Sequence, residues 1–188
     1  MNSNILIHLT KEVETSDNKF LIDEYLTDLY VYTKQFGNSD ILYLKEKNEL
    51  FIIDYSAKSL KRVSLKNQQE QMLKFKEMFY RIEATKKQKD MKRIVEIEGK
   101  GVNVSLEGTA YVSNFQEIEH TAHWEAYNLL NTTAMINIEI DREEVLASIE
   151  IDINLQGKII KNKTTITELK AITSDVKKYD YLLKYRIN

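Results

Sequence analysis

Segment 117–125 contains the residues of this chain that are best suited to binding a metal. Its sequence is Glu-Ile-Glu-His-Thr-Ala-His-Trp-Glu. On a helix, Glu117, His120 and His123 would lie near one face because they are three residues apart, and such ligands suit zinc, iron or manganese. On a strand, His120 and His123 would face opposite sides and could not share a metal. The alternative is that both histidines lie at the surface or cap a helix beside a buried Trp124.

Other catalytic motifs are absent from the sequence. The chain has no cysteine, which excludes disulfides, thiol catalysis and cysteine-based zinc sites. It also has no Gly-x-Ser-x-Gly motif, and Gly99-Lys100-Gly101 lacks the further glycine and the Lys-Ser/Thr pair of a phosphate-binding loop. We therefore interpret this Gly-Lys-Gly stretch as a turn between two strands. We expect no cofactor, and the sequence favours a binding function over an enzymatic one.

Four carboxylates lie on the polar faces of the predicted late strands: Glu139, Asp141, Glu150 and Asp152. Paired carboxylates can act as acid and base or bind a cation. An antiparallel sheet with one face in water also requires polar residues at these positions, so a solvated sheet face is the simpler interpretation.

The charge balance limits the possible partners. The chain has 27 basic and 29 acidic residues, a net charge of −2, which gives no overall attraction to nucleic acid or to an anionic membrane. No apolar run approaches the roughly 18 residues of a transmembrane helix. Residues 1–8 lack the basic segment and long apolar run of a leader. We therefore expect either a cytoplasmic protein, or a periplasmic or envelope protein whose leader preceded Met1.

Segment 147–156 shows the clearest structural pattern, five apolar residues alternating with five polar ones. A period of two predicts a half-buried strand of an antiparallel sheet. Shorter segments with apolar alternation, or with runs of β-branched and aromatic residues, predict further strands. These lie at 5–13, 29–32, 41–44, 50–55, 60–65, 94–98, 102–106, 134–140, 164–172 and 181–187.

One stretch between these strands has helical spacing. Its apolar residues recur at steps of three and four: Met72, Phe75, Met78, Phe79 and Ile82. Asn67 and Glu70 fit a capping box at its start. The sequence therefore predicts a long helix over 68–87, and 115–130 is either a second helix or a strand. The order of elements predicts one α+β domain over 1–188, with an antiparallel sheet covered by the long helix.

The order of elements from Leu29 to Met72 resembles that of the bacterial lipoprotein-carrier (LolA/LolB-like) group and related envelope families. The stretch Leu50-Phe51-Ile52-Ile53-Asp54-Tyr55-Ser56-Ala57-Lys58 is similar to a strand that precedes a helix in those proteins, and Ile149–Ile172 is similar to their late strands. The resemblance implies an open, curved antiparallel half-barrel with helices over its concave face and a hydrophobic cavity between them. It implies no particular functional residue.

We expect a non-enzymatic binding protein that holds an apolar ligand, such as a lipid or an acyl chain, between sheet and helix. A ligand pocket in such a position is usually lined by apolar side chains. The candidate lining residues are Met72, Phe75, Met78, Phe79 and Trp124, although the same residues can simply fill the core. The alternatives are a metal-binding protein or enzyme centred on Glu117, His120 and His123, and a structural or partner-binding module.

Overall fold

A computed structural model of the chain describes residues 5–35, 39–63, 70, 73–89, 92–113, 138, 140–141 and 144–188. Most of these residues form strands of one sheet. The strands are β1 (Leu6–Thr15), β2 (Lys19–Leu26), β3 (Tyr30–Gln35), β4 (Ile41–Leu44), β5 (Glu49–Asp54), β6 (Ser59–Arg62), β7 (Phe79–Lys89), β8 (Lys92–Gly101), β9 (Val104–Ser113), β10 (Val145–Leu155), β11 (Lys158–Ile172) and β12 (Arg186–Ile187). The strand order is β12-β6-β5-β4-β3-β2-β1-β11-β10-β9-β8-β7.

The predicted α+β fold, with a long helix covering an antiparallel half-barrel, is wrong. The structure is dominated by a 12-stranded mixed sheet, in which β12 runs parallel to β6. Among the described residues, helical structure is confined to residues 70 and 73–77 and to a 3₁₀ helix at Asp180–Lys184. No helix in this part of the chain is long and apolar enough to cross a membrane.

The helix prediction fails because its C-terminal half pairs with the next strand. Residues 79–89 form β7, which runs antiparallel to β8. Ile82 and Ala84 lie opposite Gly99 and Ile97, so this segment also has a period of two. Strand pairing satisfies its backbone groups, and tertiary context often overrides intrinsic helix propensity in this way.

Most of the strand predictions are confirmed. The predicted hairpin 41–55 is β4–β5, and the alternating segment 147–156 is β10. The structure adds β2, which was not predicted, and moves the turn after β8 from Gly99–Gly101 to Val102–Asn103. The predicted strand 134–140 and the ambiguous segment 115–130 lie mostly or wholly outside the described residues.

The chain divides into two compact units, and the prediction of a single domain over 1–188 stays a prediction. The first unit comprises Met1–Lys11, Leu21–Leu65 and Thr167–Asn188. In it, β2 to β6 form an antiparallel meander. Its core consists of buried aromatic and aliphatic residues: Tyr30, Tyr32, Leu42, Leu44, Phe51, Ile53, Leu60 and Leu182. The C-terminal segment thus contributes directly to this core.

The second unit comprises Glu12–Phe20 and Lys66–Ile166. Its strands β7 to β10 pair in sequence order, each antiparallel to the next. Apolar residues on one side of β8, β9 and β10 are buried: Val95, Ile97, Leu106, Ala110, Ile151 and Ile153. Acidic residues alternate with them along the same strands, so this unit keeps the one-sided character that the alternation of 147–156 predicts.

We expect Ile151→Ala to lower the free energy of unfolding by about 2–3 kcal/mol, because truncating a buried Ile loses transfer energy and leaves a cavity. Asp152, its neighbour on the more exposed face, forms only a partly exposed ion pair with Lys161 at 3.3 Å. Asp152→Ala should therefore cost under about 1 kcal/mol. Denaturant melts measure both values, and equal losses would contradict the observed alternation.

Candidate functional site

Three of the five predicted pocket residues lie within the described part of the chain, all in the second unit. Phe75 is in the short helical segment, Met78 follows that segment, and Phe79 begins β7. Met72 and Trp124 lie outside the described residues, as do the metal-ligand candidates Glu117, His120 and His123. The metal hypothesis therefore stays a prediction that this structure does not address.

Phe75 and Phe79 form an aromatic pair at the start of β7. Their ring centroids are 5.3 Å apart and the planes are tilted by 58°, a favourable arrangement for aromatic rings. Phe79 is buried, and a Cβ on Gly99 would lie 3.1 Å from its Cδ1 and 3.0 Å from Leu106 Cβ. The absence of a side chain at Gly99 therefore lets the Phe79 ring lie directly on the sheet.

Exposed apolar side chains lie beside this pair. Met78, Tyr80 and Val102, which we call the apolar tip, lie at the end of the unit where β7 begins and β8 ends. Tyr80 is 74% exposed and Val102 is 81% exposed. A Cβ on Gly101 would clash with the Met78 carbonyl oxygen, so the backbone at Met78 runs close to Gly101, the residue before Val102. The aromatic pair thus adjoins, along the chain and across the β7–β8 pairing, three apolar side chains that are exposed to solvent.

A glycine also interrupts the buried apolar side of the same unit. Gly108 on β9 lies between Ile97 on β8 and Ile151 on β10. A Cβ there would lie 2.6 Å from the Glu150 carbonyl oxygen, so any larger residue would force the strands to shift. A glycine inside a strand often marks a close approach of other groups to the backbone.

Carboxylates form rows across the opposite side of this sheet. Glu98, Glu107 and Asp152 lie directly opposite one another on β8, β9 and β10, and Glu83 on β7 extends the row. Like charges placed directly opposite each other destabilise a sheet. The row ends at Lys161, which pairs with Asp152.

We expect Glu107→Gln to raise the free energy of unfolding by up to about 1 kcal/mol, because Glu107 lies between two other carboxylates in the row. The gain should shrink at high salt, since screening weakens the repulsion. Denaturant melts at low and high ionic strength measure it. A loss of stability would indicate that Glu107 makes a favourable contact with a cation or a partner.

Two other predicted carboxylates, Asp141 and Glu150, lie outside this row, and Glu150 pairs with Lys163 at 3.4 Å. Asp141 instead accepts a hydrogen bond from Arg93 at 2.7 Å, and Arg93 also pairs with Glu144. Glu139 lies outside the described residues. Within the described part of the chain, no three His, Asp or Glu side chains converge as a metal site requires.

The first unit contains a polar cluster that the sequence did not predict. The Tyr32 hydroxyl donates to Asp40 Oδ2 at 2.8 Å and lies 2.8 Å from the Tyr55 hydroxyl, which also donates to Asp40. The Gln35 amide donates to Asp40 Oδ1 at 3.1 Å. Burial makes the largest contribution to the raised pKa of Tyr32, and the hydrogen bonds to Tyr55 and Asp40 raise this pKa further. Burial, followed by the bond to Asp40, raises the pKa of Tyr55.

Two further tyrosines of this unit, Tyr25 and Tyr30, also have raised pKa values. Burial raises the pKa of Tyr25, with a contribution from Tyr179, and burial and the nearby Asp180 raise the pKa of Tyr30. A raised pKa in the folded state stabilises the fold below the unfolded value, near about 10, and this stabilisation is lost as pH rises above it.

We therefore expect the fold to lose stability steeply above about pH 10, where tyrosines of the unfolded chain ionise. Tyrosinate absorbance and thermal melts, recorded together, test this. The buried tyrosines should ionise only as the protein unfolds. Ionisation of nearly all tyrosines near pH 10 with the fold intact would contradict the structure.

No model of a known protein family matches the chain, and no curated protein matches it either. The candidate function therefore depends on the geometry of the described residues.

Proposed function

We propose that the protein binds an apolar ligand, such as a lipid or an acyl chain, at the Phe75–Phe79 pair of the second unit. The observation that carries the proposal is the position of this pair directly beside the exposed apolar tip. The ligand would lie over Met78 and Val102 and contact the Phe75 ring, without the long covering helix that the sequence predicted.

The energetics favour an elongated apolar ligand. Each buried CH₂ group contributes about 0.8 kcal/mol, so an acyl chain covering the apolar tip gains from several such groups and also shields Met78, Tyr80 and Val102 from water. Contiguous exposed apolar surface often marks a site that binds a ligand or a membrane. The flexible Met78 side chain suits a ligand of irregular shape.

The test is a titration with a fluorescent long-chain fatty acid, alongside native mass spectrometry of the purified protein for retained lipid. Met78→Asp and Val102→Asp add charge at the tip and should weaken fatty-acid binding by at least about tenfold, or 1.4 kcal/mol. Ile159→Asp is the matched control, because Ile159 is an exposed apolar residue of β11 in the same unit. It should leave binding unchanged.

Two results would overturn the proposal. The first is that the wild-type protein neither retains lipid nor binds the fatty acid. The second is equal weakening by all three Asp variants, which would indicate a nonspecific effect of charge. Phe79→Ala separates binding from packing. If Phe79 only fills the core, this variant should lose stability while the folded protein keeps its affinity for the fatty acid.

A further inference from the structure

The first unit contains a cleft of about 900 Å³, distinct from the apolar tip of the second unit. It lies beside β5 and β6 and includes the exposed side of the Asp40–Tyr55 cluster. Its principal lining residues are Asp40, Asp54, Tyr55, Ser59, Lys61 and Arg62. This volume is within the usual range for a site that binds a small molecule.

The cleft is lined by charged side chains of both signs. Asp40 and Asp54 are acidic, whereas Lys61 and Arg62 are basic. Because side chains of both signs line the cleft, it presents hydrogen-bond acceptors and donors in one place. A ligand that both donates and accepts hydrogen bonds without carrying charge fits this lining best.

Several of these groups are already fixed in position. Asp54 Oδ1 accepts hydrogen bonds from the Ser56 hydroxyl at 3.1 Å and the Ala57 amide at 2.8 Å. Both bonds lower the pKa of Asp54, and the bond from Ala57 has the larger effect. Arg62 Nε lies 3.2 Å from Glu49 Oε1. Lys61, by contrast, forms no ion pair with any described residue, so its ammonium group is available to a ligand oxygen.

Tyr55 supplies an aromatic ring to the lining of the cleft. Its ring is partly exposed, while its hydroxyl is tied to Asp40 and Tyr32. A ring whose hydroxyl is anchored loses little conformational freedom when a ligand packs against it. The electron-rich face of an aromatic ring attracts groups that carry partial positive charge, such as the C–H bonds next to hydroxyl groups.

We propose that this cleft binds a neutral polyhydroxylated ring, that is, a saccharide. The C–H face of the sugar packs on Tyr55, and its hydroxyl groups donate to Asp40 and Asp54 and accept from Lys61 and Ser59. The inference is independent of the apolar ligand, because the two sites lie in different units and share no residue.

The experiment is saturation-transfer NMR on the whole protein with glucose, N-acetylglucosamine and maltose, each at about 10 mM to detect millimolar affinity. We expect transfer to the ring C–H protons of at least one sugar. Tyr55→Ala should reduce this transfer at least about fivefold, and Lys61→Met should also reduce it. Tyr55→Phe keeps the ring and should retain most of it.

Tyr111→Ala is the matched control, because Tyr111 is a similarly exposed tyrosine on β9 in the second unit. It should leave the transfer unchanged. Absence of transfer from all three sugars overturns the proposal, as does transfer that Tyr55→Ala leaves intact. Binding of a zwitterion such as glycine in place of the sugars overturns the ligand class. If Tyr55→Ala does not fold, Lys61→Met and Tyr55→Phe decide the question.

Discussion

Replacing Lys11 by Met is expected to lower the free energy of unfolding by about 3–5 kcal/mol, because it leaves a buried carboxylate without its counterion. Lys11 Nζ lies 2.8 Å from Glu24 Oε1, and each side chain is only 5% exposed. Thr33 donates a long hydrogen bond of 3.4 Å to the same oxygen. Within the described part of the chain, the second oxygen, Glu24 Oε2, is buried and has no hydrogen-bond partner.

The orphaned oxygen makes the pair costly to break. A buried charge that loses its partner suffers the full desolvation penalty, whereas replacing both charges by apolar groups of similar volume is often neutral or stabilising. Lys11→Met combined with Glu24→Leu should therefore recover most of the stability lost in the single variant. Denaturant melts of the two singles and the double give the coupling free energy.

An exposed ion pair of the same length provides the control. Lys19 Nζ and Glu12 Oε1 are also 2.8 Å apart, but their side chains are 58% and 33% exposed. Lys19→Met should have a much smaller effect on stability than Lys11→Met, because exposed pairs are screened by solvent. Similar losses in both variants would contradict the assignment of Lys11 and Glu24 to the interior.

Segments with one dominant pattern could be predicted from the sequence. The alternation at 147–156 identified β10, and the apolar runs on either side of Lys45–Glu49 identified the β4–β5 hairpin. In both segments the local pattern and the final pairing agree. Each segment therefore forms with its neighbouring strands the backbone hydrogen bonds of the strand that its pattern predicts.

The helix prediction was wrong for part of segment 72–89 because this segment carries two patterns. Met72, Phe75, Met78 and Phe79 have helical spacing, and residues 73–77 are indeed helical. From Phe79 onward, pairing with β8 determines the structure instead. Sequence spacing alone does not reveal which neighbouring strand is available, so the end of the helix could not be located.

No pattern in the sequence predicted the polar cleft of the first unit. Asp40 and Tyr55 are 15 residues apart, and the β4–β5 hairpin brings them together. The hairpin itself was predicted, but its register was not, and the register decides which side chains meet. By contrast, Phe75 and Phe79 were singled out from the sequence as members of an apolar stripe with helical spacing, and their rings do meet although only Phe75 is helical.

The C-terminal segment offers the sharpest test of structure against sequence pattern. The alternation of Tyr181, Leu183, Tyr185 and Ile187 predicts a strand with these four residues facing inward. The structure instead has a 3₁₀ helix at Asp180–Lys184, in which Leu182 is 0% exposed and Leu183 is 39% exposed. Asp180 accepts a hydrogen bond from the Tyr30 hydroxyl at 3.2 Å, which holds this helix against the meander.

Leu182→Ala should lower the free energy of unfolding by about 3–5 kcal/mol, because the side chain is fully buried and its removal leaves a cavity. Leu183→Ala, the matched control one residue away, should cost under about 1 kcal/mol, since Leu183 is largely in water. Denaturant melts of both variants provide the comparison. A larger loss for Leu183→Ala would restore the strand predicted from the alternation. The observed 3₁₀ helix requires the opposite order, because it is Leu182 that joins Tyr30 and Phe51 in the core.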